Sequence, residues 1–412
     1  MQNKTTIALV SLTIFIFCSA FLGETNPKIA IQRLSDRVIV VTTEVIDNGV
    51  VAIASLKGIV VVDTHISPPF AKEIRRAIAE EFGRDDFVYT INTHDHGDHT
   101  WGNQVFADTT IIAHDNCVGE MKREAENLGS TIENYRNALA RMKARTDGME
   151  ADSEEAKARV RRYEILKLGV DGWEEGFVLT PPNMTFNDRL TLDLGDITLK
   201  LIYFGKAHSN SDILVYIPEE GLLLVGDITY AKGSPSISSD VIPDLPRWIS
   251  ILEEILHGDG ELKQIINGHN SFITPEDMET QLAHIKDQFE YTKGKESFLT
   301  VLEEALTASG IEAALKAYDD FKTRDSAKYY LLEREANGLG YGLLREGKNA
   351  EAIAVFKMIT ECYPGSWNAW DSLGEAYMTN GDTDMAIESY TKSLELNPDN
   401  DNAARQIEAM RQ

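Results

Sequence analysis

The run HDHGDH at residues 94–99, set in YTINTHDHGDHTWGN, limits what this chain can fold into more than any other stretch. Three of the nine histidines fall inside it, interleaved with two aspartates. Imidazole is the commonest zinc ligand and aspartate adds a hard oxygen, so the composition of the run is that of a metal centre. Such a cluster needs a stiff support. The preceding FVYTI is apolar and rich in β-formers, so the run is expected at the C-terminal end of a buried strand. Alternating His94 and His96 can face one point, and Asp98 and His99 a second.

The flanking sequence supplies the rest of that framework. Residues 36–63 hold DRVIVVTTEV, NGVVAIASLKG and IVVVDTH, consecutive strands separated by Asn-Gly and Lys-Gly turns. SPPFAKEIRRAIAEEFG then predicts a helix, with prolines at its start, apolar residues at Ile74, Ile78 and Phe82, and Gly83 as its stop. TIIAH is a further strand. Strands resume with MTFNDRLTLDLGDITLKLIYFG, followed by DILVYIPEEGLLLVGD, a helix in DLPRWISILEEILH, and KQIINGHN as the last strand. The order fits an α/β sandwich.

Between these two strand-rich blocks, residues 116–172 are helix-forming and dense in charge. They predict two or three amphipathic helices inserted into the α/β domain. Their charge is that of a solvated helix face, and their place between the histidine run and His208 predicts that they border the metal centre. From about residue 275 the pattern is helical only. There ANGLGYGLLREGKNAEAIAVFKMITECYP and WDSLGEAYMTNGDTDMAIESYTKSLELNP align at an offset of 34 residues, pairing Gly340 with Gly374 and Phe356 with Tyr390. This resembles the tetratricopeptide repeat, with Trp370 and Tyr377 at aromatic positions of that motif. Two copies are few for a stable stack, so residues 276–332 are expected to add helices to them. The expected organisation is a signal peptide at 1–24, an α/β domain at 25–275, a helical linker at 276–332 and repeats at 333–412.

Three more metal-type residues stand at strand ends: His208 in GKAHSNSD, Asp227 in LLLVGDITY and His269 in IINGHN. Taken in order, THDHGDH, HSNSD, VGD and NGH resemble the metallo-β-lactamase superfamily over roughly residues 30–272. That resemblance implies an αββα sandwich with a metal site at one edge. It implies that His94, His96 and His208 bind a first zinc, that Asp98, His99 and His269 bind a second, and that Asp227 bridges both. Asp63, in VVVDTH, matches the acidic residue that supports the histidine loop from behind. Two cations would lower the pKa of a shared water to near neutrality, with Asp98 as the catalytic carboxylate that orients it. The commonest metallo-β-lactamases carry cysteine where this chain has Asp227, as thioesterase-like and lactonase-like members do not. Diiron oxidoreductase members carry glutamate where His96 stands, which argues against that branch.

Composition narrows the partners. With 66 acidic and 40 basic residues the formal net charge is −26, which repels nucleic-acid backbones. The first residues carry Lys4, an apolar stretch and a small-residue site at Cys18-Ser19-Ala20, a secretory pattern that predicts a periplasmic or secreted protein without an integral span once cleaved. Phe17 before Cys18 disfavours a lipoprotein, and Cys117 and Cys362 lie too far apart in the expected organisation for a disulfide. Two functions remain in contention. One is an exported dinuclear zinc hydrolase for an ester, thioester, lactone or amide, β-lactams included. The other is a scaffold whose repeats bind a protein or peptide and whose metal site is vestigial. Donors at all seven positions favour the enzyme.

Overall fold

The computed structural model describes residues 29–43, 48–126, 128–147, 154–174, 176–229, 244–258, 262–269, 272–398 and 400–411. The expected signal segment lies outside the described residues. The chain divides into two units after Lys286.

In the first unit the elements run β1 (Ile29–Arg33), β2 (Val38–Thr43), β3 (Val50–Ser55), β4 (Gly58–Val62), α1 (Pro68–Phe82), β5 (Phe87–Ile91), α2 (Gly97–Thr100), β6 (Thr110–His114) and helices α3 (Cys117–Glu126), α4 (Leu128–Asp147) and α5 (Glu154–Glu174). They continue with β7 (Met184–Phe186), β8 (Arg189–Asp193), β9 (Thr198–Tyr203), β10 (Ile213–Ile217), β11 (Leu222–Leu224), α6 (Leu245–Leu256), β12 (Gln264–Ile266) and β13 (Phe272–Ile273), and α7 (Pro275–Thr292) runs across the division after Lys286. Strands β1 to β7 form one sheet in sequence order, and a second sheet runs β13-β12-β11-β10-β9-β8.

Strand alternation explains the layers. In β2, Val38 and Val40 point into the space between the sheets, where they meet Leu199, Leu201, Ile213 and Val215. Ile39 and Val41 point the other way, onto Ala71, Ile74 and Ile78 of α1. The middle strands β2, β3 and β4 are therefore buried on both faces, which is why they are mostly apolar rather than alternating with polar residues. Each fully buried valine or isoleucine contributes on the order of 1.5–3 kcal/mol. On the second sheet α6 seats Trp248 against Phe204, with ring centroids 4.9 Å apart. Helices thus flank a pair of stacked sheets.

Connection geometry gathers the polar residues at one edge. β4, β5, β6 and β7 pair in parallel, and so do β11 and β12. The loops leaving the C-terminal ends of β4, β5, β11 and β12 carry Asp63, the histidine run, Asp227 and His269. Sites in open α/β sheets form outside such carboxyl ends.

Three small features depart from the sequence expectation. β12 is not the last strand, because Phe272–Ile273 returns antiparallel to it as β13. Met184–Phe186 does not continue into Arg189–Asp193: β7 joins the first sheet and β8 the second. The chain after residue 275 is not wholly helical, since β14 (Glu296–Ser297) pairs with β15 (Tyr329–Tyr330).

The second unit otherwise consists of α8 (Phe298–Asp320), α9 (Glu333–Arg345), α10 (Asn349–Cys362), α11 (Trp367–Asn380), α12 (Thr383–Leu396) and α13 (Asp401–Arg411). Glycines at matching places let the paired helices close. A Cβ on Gly340 would fall 2.5 Å from Phe356, and one on Gly374 would fall 2.9 Å from Tyr390. The repeat seen in the sequence is therefore a repeated small-against-aromatic fit. Tyr377 and Tyr390 are buried and Trp370 packs on the same core. Among the described residues, no helix is long and apolar enough to cross a membrane.

Candidate metal centre

The structure brings the seven residues into two groups. His94, His96 and His208 form one; Asp98, His99, Asp227 and His269 form the other, and within each group the donor atoms lie within 4.8 Å of one another. In the first, His208 Nε2 faces His96 Nδ1 at 3.1 Å. In the second, Asp227 Oδ2 is 2.9 Å from His269 Nε2 and Oδ1 is 3.6 Å from His99 Nε2. Asp227 also reaches the first group, with Oδ2 3.7 Å from His208 Nε2. Gly268 makes room for this approach, because a Cβ there would stand 2.4 Å from Asp227 Oδ1.

One carboxylate orients a histidine of each group. Asp63 Oδ2 accepts from His99 Nδ1 at 2.9 Å and from Thr93 Oγ1 at 2.8 Å. With its hydrogen donated to Asp63, the Thr93 hydroxyl accepts from His94 Nδ1 at 3.1 Å. Asp63 Oδ1 also takes the Thr93 backbone N–H at 2.8 Å. Both Nδ1 atoms are thereby committed, and both Nε2 atoms turn towards the groups. Asp98 is held separately: Asn48 Nδ2 donates to its Oδ2 at 2.8 Å.

The electrostatics suit a cation. Burial pulls His94 well below the ordinary histidine value, and the neighbouring His99 and His96 pull the same way. His208 falls to about 4, through burial first and then His96. Both present neutral imidazoles at neutral pH. Burial pushes the Asp227 carboxyl up, but His99 and the hydrogen bond from His269 outweigh it and hold Asp227 far below the carboxylate range. Asp98 is likewise lowered, with His99 overcoming burial. His99 moves oppositely: burial disfavours its charge, yet Asp98, Asp227 and Asp63 raise it well above its usual value. Three carboxylates converging on one imidazole call for positive charge at that point.

The residues fit a bound metal. The buried Nε2 atoms of His94 and His99 and the buried Oδ1 of Asp227 have no hydrogen-bond partner. Leaving such a group unsatisfied costs about 1–3 kcal/mol; His94 belongs to the first group and His99 and Asp227 to the second, where bound cations would satisfy them. The donors are also the nitrogen and oxygen set that zinc takes.

Several residues of the centre carried no sequence signal. Asp95, between the first two histidines, accepts from Ser211 Oγ at 2.5 Å and so ties the histidine run to the His208 loop. Asp212 is fully buried and accepts from Ser209 N at 2.7 Å; burial lifts its carboxyl to about 7 against those hydrogen bonds. His65 is buried edge-on to Phe70, and burial lowers it to about 3. Asn48 and Thr93 were equally silent. The signal that could have found Asp95 is its position inside the run, on the opposite side of the chain from His94 and His96.

The inserted helices lie against this edge. Glu124 of α3 accepts from Gly97 N at 3.2 Å, and Trp173 of α5 donates to the Ile66 carbonyl at 2.9 Å. Trp173 also meets Trp101 edge-on, with centroids 5.1 Å apart.

A model of the Metallo-beta-lactamase superfamily matches residues 49–268, and a Tetratricopeptide repeat model matches residues 368–400. The chain is 24% identical over 248 residues to the 2,4-dinitroanisole O-demethylase subunit alpha of Nocardioides sp. (strain JS1661), covering 60% of this chain and 59% of that one. The chain is 36% identical over 87 residues to Superkiller complex protein 3 of Homo sapiens, covering 21% of this chain and 5% of that protein. The chain thus spans less than two thirds of either relative. A solved structure, the stereoselective inverting sec-alkylsulfatase Pisa1 from Pseudomonas sp., superposes with a TM-score of 0.47 at 12% identity, covering 92% of this chain and 64% of that one.

Proposed function

The chain belongs to the metallo-beta-lactamase superfamily, and from that premise we propose that it is an exported zinc hydrolase that holds two ions and cleaves an ester, thioester, lactone or amide bond, β-lactams included. One observation carries the reading: four separate segments deliver seven donors into two adjoining groups, with Asp227 within reach of both.

In this reading His94, His96 and His208 hold the first ion, and Asp98, His99 and His269 hold the second. Asp227 is shared. When bound, the two ions supply Lewis acidity and bring a water's pKa towards neutrality. The chain's own residues do the rest. Asp63 fixes the tautomers of His94 and His99, directly and through Thr93. Asn48 anchors one oxygen of Asp98, which leaves the other to accept a hydrogen bond from the attacking water. Asp227 brings a negative charge to the point where two cations would repel. Export is proposed from the secretory pattern of residues 1–24, with the periplasm or the cell exterior as destination. The repeat makes a protein or peptide partner a proposal for the second unit.

The test is metal content together with turnover. Purified full-length chain should carry two zinc ions and hydrolyse at least one member of a panel of esters, thioesters, lactones and β-lactams. 2,4-Dinitroanisole joins the panel because the name of the Nocardioides relative carries it. A chelator should abolish turnover and zinc should restore it. Protein that takes up no zinc from solution would remove the proposal.

A further inference from the structure

Helix α3 touches both loops that supply the three-histidine group. Glu124 Oε1 accepts from the backbone N–H of Gly97, the residue after His96, at 3.2 Å. One turn earlier, Glu120 Oε1 accepts from Asn210 Nδ2, two residues after His208, at 3.1 Å. Asn116, just before the helix, donates from Nδ2 to the Asn210 carbonyl at 2.7 Å. Tyr203 at the end of β9 donates its hydroxyl to the same carbonyl at 3.2 Å.

Helix geometry makes the pairing coherent. Residues four apart share a face, with about 6 Å of rise between them. Two glutamates so placed repel by about 0.2–0.5 kcal/mol in an isolated helix. Here each has its own hydrogen-bond donor on a different loop. The two loops already meet through Ser211 Oγ and Asp95 Oδ1. The helix is held beneath them by Cys117 and Met121, both fully buried.

Resting on the dinuclear reading, we propose that α3 is a brace for the first metal site: Glu124 and the Glu120–Asn210 pair are positioning residues that hold His96 and His208 at ligating distance. Glu120 and Asn210 reach the His208 loop alone, whereas Gly97 stands between His96 and Asp98 in the run that serves both groups. The effect is therefore largest at the three-histidine ion. Orienting partners behind metal ligands are worth roughly 10–100-fold in affinity.

The experiment uses full-length chain loaded with zinc and follows its release to a chromophoric chelator. His208→Ala marks which of two release steps belongs to the three-histidine group. Glu124→Ala and Asn210→Ala should each weaken that step by about tenfold and the other step by less. Glu124→Gln keeps an oxygen acceptor for the Gly97 N–H and should restore it. The brace is overturned if Glu124→Ala releases both ions as wild type does, if both steps weaken equally, or if Glu124→Gln is as weak as Glu124→Ala. Wild-type chain that binds no zinc overturns the dinuclear reading as well, so the two failures are separable.

Discussion

The two units handle buried polarity in opposite ways. The first buries His94, His99, Asp63, Asp95, Asp212 and Asp227 at a single edge. Among the described residues of the second unit, the buried polar side chains are Thr360, Ser372, Ser389, Ser393 and Asn400, and no histidine or carboxylate is buried. These small groups find backbone acceptors in their own or the neighbouring helix: Ser389 Oγ donates to Met385 O at 2.9 Å and Ser393 Oγ to Trp367 O of α11 at 2.8 Å. Burying charge is expensive unless it is paired or binds metal. The first unit therefore concentrates that cost where a cation would offset it. The second unit avoids it and relies on shape, glycine against aromatic ring.

Substitutions in the two units should consequently fail differently. The largest effect is expected at Asp227. Replacing it by alanine removes the charge shared by both groups, so zinc should fall towards one per chain and turnover by orders of magnitude, with the fold kept. His94→Ala should instead empty the three-histidine site. Metal analysis and hydrolysis on both variants, with circular dichroism for the fold, check this; full activity with two zinc ions in Asp227→Ala would break the contrast at its centre.

A smaller effect of the other kind is expected at Gly340. Valine there drives a side chain into Phe356, and overpacking of this sort costs about 1–3 kcal/mol. Thermal unfolding should shift for the second unit while zinc content stays at the wild-type value. Zinc lost together with stability would blur the distinction between the units. The smallest effect is expected at Tyr390, whose buried hydroxyl has no hydrogen-bond partner. Tyr390→Phe removes that group and should be neutral or stabilising, by up to about 1 kcal/mol; a clear loss in denaturant midpoint would sharpen the picture by revealing a partner for the hydroxyl.

What the sequence made legible follows the same division. The repeat period was visible because the same fit recurs after 34 residues, Gly340 and Phe356 becoming Gly374 and Tyr390. The metal-type residues were visible because histidine and aspartate are rare at the ends of apolar strands. Their supports were not. Thr93, Asn48, Asp95 and Glu124 act through partners from 27 to 116 positions away along the chain, as Glu124 with Gly97 and Asp95 with Ser211. Hydrogen bonds of that range leave no periodicity. The two-residue strands β13, β14 and β15 are too short for an alternation to register, and β7 parts from β8 at a turn of only Asn187 and Asp188.

The turn behind the centre has a thermodynamic consequence. Asp63 and His65 both take positive φ, 61° and 71°, in a region that side-chain-bearing residues rarely occupy. Each such residue costs about 1–3 kcal/mol and persists only where its surroundings over-determine it. Here the surroundings are Thr64 Oγ1 bonded to the His99 carbonyl at 3.0 Å and Gly102 N bonded to the His65 carbonyl at 2.9 Å. The ordering entropy of the histidine loop is therefore met when the protein folds, before any metal arrives. Metal uptake then needs little rearrangement, and the entropy of binding should be dominated by water released from the ion rather than by freezing of the chain.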